Sequence, residues 1–148
     1  MFVSEIFVIE DCHKYIQSVN STTTYNLELP SEFIATFLVK RISNTSSTCS
    51  LHMGSDLSNR IIGGLRTSDG IIGLLVQKTG SWVVTKGSQY LSMNTEKQVT
   101  YKWQNNTSTV SWDNETVTDN TNQITPSKLL QIEKSSNGTI REIKIKPL

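Results

Sequence analysis

Between Arg60 and Thr118 the chain runs as short, alternating apolar segments joined by tight-turn signals: RIIGGLRTSDGIIGLLVQKTGSWVVTKG, then VTYKWQNNTSTVSWDNETVT. Three turn candidates, Ser68-Asp69-Gly70, Lys78-Thr79-Gly80 and Gln104-Asn105-Asn106, fall between β-rich segments at hairpin spacing. Such spacing predicts an antiparallel meander, because two- to four-residue loops rich in Asn, Asp and Gly reverse a strand onto its neighbour. In the hairpin around Asn105-Asn106, Val99, Tyr101 and Trp103 share one face, and Thr100, Lys102 and Gln104 share the other. That alternation is what one buried and one wet face require.

The flanking segments extend the pattern. Glu5 to Glu10 is a first strand candidate, Ser18 to Thr24 a polar connection, and Tyr25 to Leu29 a second strand. Glu32 to Ile42 (EFIATFLVKRI) is apolar on both faces, as expected of a strand inside a sheet rather than at its edge, and its β-branched and aromatic content argues against a helix. Cys49 to Gly54, Arg60 to Arg66, Ile71 to Gln77, Ser81 to Thr85, Thr107 to Asp113, Leu129 to Lys134 and Thr139 to Lys146 follow. Ile140, Ile143 and Ile145 supply a closing apolar stripe, and one turn near Pro126 to Leu130 is the best candidate for helical periodicity. A chain of 148 residues is long enough to bury a core in one unit. The expectation is therefore all-β: an antiparallel β-sandwich of jelly-roll type spanning 1–148 as a single domain, with 1–24 an N-terminal strand and connection.

Composition excludes more than it assigns. Fourteen Lys and Arg against 13 Asp and Glu leave a net charge of +1, so no bulk field draws in nucleic acid or an anionic membrane. No run reaches the roughly 20 apolar residues of a membrane helix, and MFVSEIFVIEDC has acids where a secretory signal has basic residues. The abundant Ser, Thr and Asn create sequons at Asn20, Asn44, Asn105, Asn106, Asn114 and Asn137. In so Asn- and Thr-rich a chain, chance is the better account of that pattern than glycosylation. Cys12 and Cys49 permit one disulfide or two free thiols, with the free thiols favoured because a domain of this size does not need the bond. His13 beside Cys12 and His52 near Cys49 lack the spacing of zinc modules.

The order of pieces, EFIATFLVKRI, GIIGLLVQKTGSW, VTYKWQNNTSTVSWDNETV and GTIREIKIKPL, resembles the concanavalin A-like lectin and glucanase superfamily, especially its laminin-G-like members, from about Tyr25 to Leu148. Trp112-Asp113-Asn114 stands where that family has a short turn after a Trp-bearing strand, and Ile140 to Ile145 resembles its last strand. The resemblance implies a binding domain of the kind found in phage tail, virion and microbial surface proteins, with a cell-surface glycan or a protein as partner. It also implies a location on a virion or cell exterior, and is compatible with a homo-oligomer or a place in a larger chain.

The hydrolytic branch of that superfamily needs paired acids on one strand, and no E-x-D-x-E arrangement occurs here, nor any G-x-S-x-G. The expectation is a non-catalytic module that recognises carbohydrate, with a purely structural or assembly role as the alternative. A sugar site needs an exposed aromatic to stack on a pyranose face, and polar side chains beside it for the hydroxyls. Candidates are Trp82, Tyr90, Trp103 and Trp112, with Asn105, Asn106, Asp113 and Asn114 on adjacent turns. Trp82 and Tyr90 are the better candidates for exposure; Trp103 and Trp112 share faces with core-type neighbours and suit the interior equally well. A calcium ion, which some laminin-G-like proteins bind, would draw on Asp56, Asp69 or Asp113.

Overall fold

The computed structural model describes residues 6–9, 13–26, 28–45, 47–67, 69–79, 81–120 and 124–148. Thirteen strands are present among them: β1 Ile6–Ile9, β2 His13–Ser18, β3 Thr23–Asn26, β4 Phe33–Arg41, β5 Thr48–Asp56, β6 Asn59–Arg66, β7 Ile71–Lys78, β8 Ser81–Tyr90, β9 Glu96–Gln104, β10 Thr107–Trp112, β11 Glu115–Asp119, β12 Leu129–Glu133 and β13 Gly138–Pro147. They form two antiparallel sheets, one of seven strands in the order β1-β2-β13-β4-β9-β10-β11 and one of six in the order β3-β12-β5-β6-β7-β8. The expected jelly-roll sandwich is the observed architecture.

Alternation decides which side of each strand enters the core. On β4 the inward set is Phe33, Ala35, Phe37 and Val39; on β9 it is Val99, Tyr101 and Trp103. Opposite them stand Leu51 and Met53 of β5, Ile61 and Leu65 of β6, and Ile72, Leu74 and Val76 of β7. Tyr101 is fully buried. Burial pushes its pKa up, and its hydroxyl lies 2.9 Å from the Ser108 hydroxyl, which satisfies a group that would otherwise be costly to desolvate. Phe33 packs against the same ring at a centroid distance of 5.8 Å.

The closing stripe of β13 breaks strict alternation, since Ile140 and Ile143 are three residues apart yet both buried. The register against β4 shifts between Arg141 and Lys144, and Glu142 takes φ 54°. This bulge inserts the extra residue that returns Ile143 and Ile145 to the inner face.

Several boundaries differ from the sequence expectation. β2 forms between the expected first strand and the connection at 18–24, where no strand was expected; it pairs with β13 and carries β1 at the edge of the seven-stranded sheet. β11 forms just after the turn expected at 112–114, where no strand was expected, pairing with β10 through Val117 and its neighbours. β8 continues past the expected end at Thr85 to Tyr90, which therefore sits at a strand end. No helical turn forms at 126–130. Cys49 is a free, buried thiol; Cys12 lies outside the described residues.

Candidate functional site

The outer face of the six-stranded sheet carries the polar cluster of interest. Antiparallel register sets Arg60 of β6 opposite Gln77 of β7, and Gln77 opposite Trp82 of β8, in one row across three strands. The neighbouring row holds His52 of β5, opposite Gln131 of β12 on one side and Ile62 on the other. Because side chains alternate, these residues stand on the face opposite to Leu51, Ile61, Leu74 and Val76 of the core.

Arg60 is the hub. Its Nε donates to Gln77 Oε1 at 3.0 Å, and its Nη1 donates to His52 Nδ1 at 3.1 Å and to Gln131 Oε1 at 3.4 Å. The guanidinium carbon lies 5.8 Å from the centroid of the Trp82 ring, in cation–π range. Acceptors on three other strands thus hold one planar donor, while no described residue is recorded as a partner of its Nη2. Gln131 is itself oriented by its Nε2–H, which donates to Thr24 Oγ1 of β3 at 2.9 Å. His52 is only 3% exposed, with its Nε2 3.0 Å from Ser50 Oγ and 3.8 Å from Glu133 Oε1. Trp82 remains 47% exposed beside this network.

A shallow depression of about 120 Å³ adjoins the cluster on the same sheet face. Its lining includes Gly64 and Gly73, paired across β6 and β7, with Ile62, Leu75 and Val84 beside them and the basic residues Arg66 and Lys86 completing it. The two glycines leave the face bare for a geometric reason. A Cβ on Gly64 would come within 2.5 Å of the Cys49 carbonyl oxygen, and one on Gly73 within 2.6 Å of the Thr85 carbonyl oxygen.

The residues singled out from sequence are distributed over the molecule rather than gathered. Trp82 lies on the open face just described. Trp103 and Trp112 are 3% and 4% exposed and belong to the core, which corrects their candidacy as stacking platforms: each inward strand position that faces the other sheet must be filled, and the largest rings fill it. Tyr90, 65% exposed, lines a second depression of about 140 Å³ with the rim of Trp112, Asp113 and Lys97. Asn114 follows Asp113 in the β10–β11 turn. Asn105 and Asn106 form the β9–β10 turn at the opposite end of β10, with φ 53° and 55°, so their backbone role is to reverse the chain.

The three aspartates considered for calcium occupy three separate turns. Asp56 accepts the backbone N–H groups of Ser58 and Asn59, which hold its carboxyl below the usual range. Asp69 pairs with Arg66, and Asp113 with Lys97 at 2.8 Å. No group of three or more His, Cys, Asp or Glu side chains suited to a metal forms among the described residues. Cys49 and His52 point to opposite faces of β5, so they cannot share an ion.

Arg60, Gln77 and Gln131 were not anticipated, and His52 was considered only for a metal site. Hairpin register alone could have found Arg60 and Gln77, because the turns at 67–70 and 79–80 place both in the row of Trp82.

The two-sheet antiparallel jelly roll is an architecture shared with proteins of known structure. No protein-family model matches the chain, and no curated protein matches it in sequence. Solved structures do. Chicken galectin 2 is similar with a TM-score of 0.64 at 12% identity, covering 83% of this chain and 96% of that one. A toad ovary galectin in complex with thio-digalactose gives 0.62 at 14% identity, covering 86% and 100%. The carbohydrate-binding module CBM66 from Bacillus subtilis gives 0.63 at 9% identity, covering 97% and 92%. At these identities the likeness is one of fold.

Proposed function

We propose that this chain is a non-catalytic carbohydrate-binding module whose site is the outer face of the six-stranded sheet at Trp82, Arg60 and Gln77. The observation that carries the reading is the pairing of a half-exposed indole with a guanidinium already fixed by three acceptors. Sugars need that combination: an apolar ring face for their C–H surface and rigid donors for their hydroxyls. Neighbours of the same fold named as galectins and a carbohydrate-binding module add support, as does the complex of one of them with thio-digalactose. Among the described residues the cluster brings one carboxylate, Glu133, near the site, whereas glycoside hydrolysis uses two. Action on a virion or cell exterior, against a cell-surface glycan, belongs to the same proposal.

The test is a glycan array probed with the wild-type protein and with Trp82→Ala, followed by titration calorimetry on the best-retained oligosaccharide. Covering the exposed part of the indole, about 100 Å² of a side chain of about 200 Å², is worth roughly 1–2.5 kcal/mol, so affinity should fall about 5- to 60-fold. Binding unchanged in Trp82→Ala would move the site elsewhere. An assembly role is the second reading, favoured by the exposure of Val83 and Val84 beside Trp82 on the edge strand β8. A silent array, together with an oligomer that Val84→Lys dissociates, would select it.

A further inference from the structure

We propose that His52 is the positioning residue of this face. Its neutral ring holds Arg60 in place through Nδ1, and its protonation releases Arg60, so that the face binds at neutral pH and lets go in acid. The inference rests on the carbohydrate-binding reading and adds to it a residue that touches no ligand, together with a pH dependence.

The geometry leaves one tautomer. A guanidinium has only donors, so the contact between Arg60 Nη1 and His52 Nδ1 at 3.1 Å requires a lone pair on Nδ1. The proton of the neutral ring is therefore on Nε2, where Ser50 Oγ at 3.0 Å can accept it. Among the described residues, the charged groups facing the ring are Arg60 from β6 and Glu133 from β12; Ser50 on its own strand and Gln131 on β12 are its polar neighbours. Adding a proton to Nδ1 turns the acceptor into a second donor pointed at a cation. Glu133, whose carboxylate is 3.8 Å from Nε2, favours that charged ring. The imidazolium thus keeps its partners on the Ser50 and Glu133 side and loses the one on the Arg60 side. Arg60 then retains Gln77 and the longer Gln131 contact, and its seat against Trp82 is no longer fixed.

The first measurement needs no sugar. In ¹⁵N-labelled protein, the imidazole nitrogens of His52 should report the Nε2–H tautomer at about pH 7.5, and the Trp82 indole N–H resonance should titrate together with His52 down to about pH 5. His52→Gln, whose amide can accept from Arg60 and donate to Ser50, should abolish the Trp82 titration while leaving the fold intact. Glu133→Gln removes the charge that favours the imidazolium and should move the midpoint to lower pH; as an independent variant it keeps the test alive if His52→Gln does not fold. An Nδ1–H tautomer, or a Trp82 titration that persists in folded His52→Gln, would overturn the proposal. The glycan array is then run at about pH 7.5 and about pH 5. Wild-type binding should weaken about tenfold or more, as expected from loss of one charge-assisted hydrogen bond, and His52→Gln should bind alike at both. Equal wild-type binding at the two pH values overturns the role of His52 and leaves the sugar site standing. A silent array beside a linked His52–Trp82 titration removes the sugar reading and leaves the linkage standing.

Discussion

Arg60→Lys tests whether the cluster is held by geometry or merely by charge. Lysine keeps the positive charge but presents a compact ammonium in place of a planar fork, so it cannot meet Gln77, His52 and Gln131 at once. In the native cluster those contacts measure 3.0, 3.1 and 3.4 Å, with the Trp82 ring at 5.8 Å. A net hydrogen bond is worth about 0.5–1.5 kcal/mol. The contact at 3.4 Å belongs at the low end of that range, and water can reach the glutamines when the guanidinium is gone. His52 Nδ1 is different, because a residue only 3% exposed has little water to replace its donor. Losing two of three contacts then costs about 1–2 kcal/mol, or roughly 3–6 °C in Tm for a domain of this size. Thermal unfolding followed by circular dichroism, with Arg60→Ala alongside, reads the effect directly. The lysine variant should fall between alanine and wild type. A lysine variant melting within about 1 °C of wild type would refute the argument, since charge alone would then suffice to hold the cluster.

Two further expectations concern other parts of the sandwich. At the β9–β10 turn, Asn105 and Asn106 both have positive φ, 53° and 55°, and the second position of such a turn favours glycine. Because glycine takes a positive φ without the Cβ clash, Asn106→Gly should raise the urea midpoint by the equivalent of a few tenths to about 1 kcal/mol, and a lowered midpoint would contradict the turn assignment. Across β9 and β13, Glu96 accepts from Arg141 Nε at 2.8 Å and Nη2 at 2.7 Å, and this hydrogen bonding holds the Glu96 carboxyl below its ordinary value of 4.5. A depressed folded-state pKa contributes stability that is present above the unfolded value and disappears as pH falls through the folded one. Stability from this pair should therefore decline as pH drops below about 4.5, and Arg141→Gln should flatten that part of the stability–pH curve; an unchanged slope would rule the pair out as its source.

The contrast between Trp82 and Trp103 shows what period-two patterning can settle. Trp103 shares its face with Val99 and Tyr101, and the strand that carries them sits between β4 and β10, so the whole face turns inward. Trp82 follows a tight turn at the start of a strand that ends the sheet, where no strand among the described residues pairs on its far side and the indole stays wet. Local pattern separates these two cases once strand position is known, and the hairpins supply that position for β6, β7 and β8. The same hairpins bring Arg60 and Gln77 into the row of Trp82. His52 and Gln131 obey no such local rule. They meet because β12, late in the chain, adds to the edge of β5, a pairing between distant segments whose register follows from how both sheets close on their core. β11 was hidden for a related reason: ETVTD offers only Val117 to the interior, too little apolar alternation to mark a strand until β10 supplies its partner. The half of the site built from sequential hairpins is thus a property of local turns, and the half that positions Arg60 is a property of the completed sandwich. It follows that the donor can be brought to the face by a meander alone, but can be held there only by the folded whole.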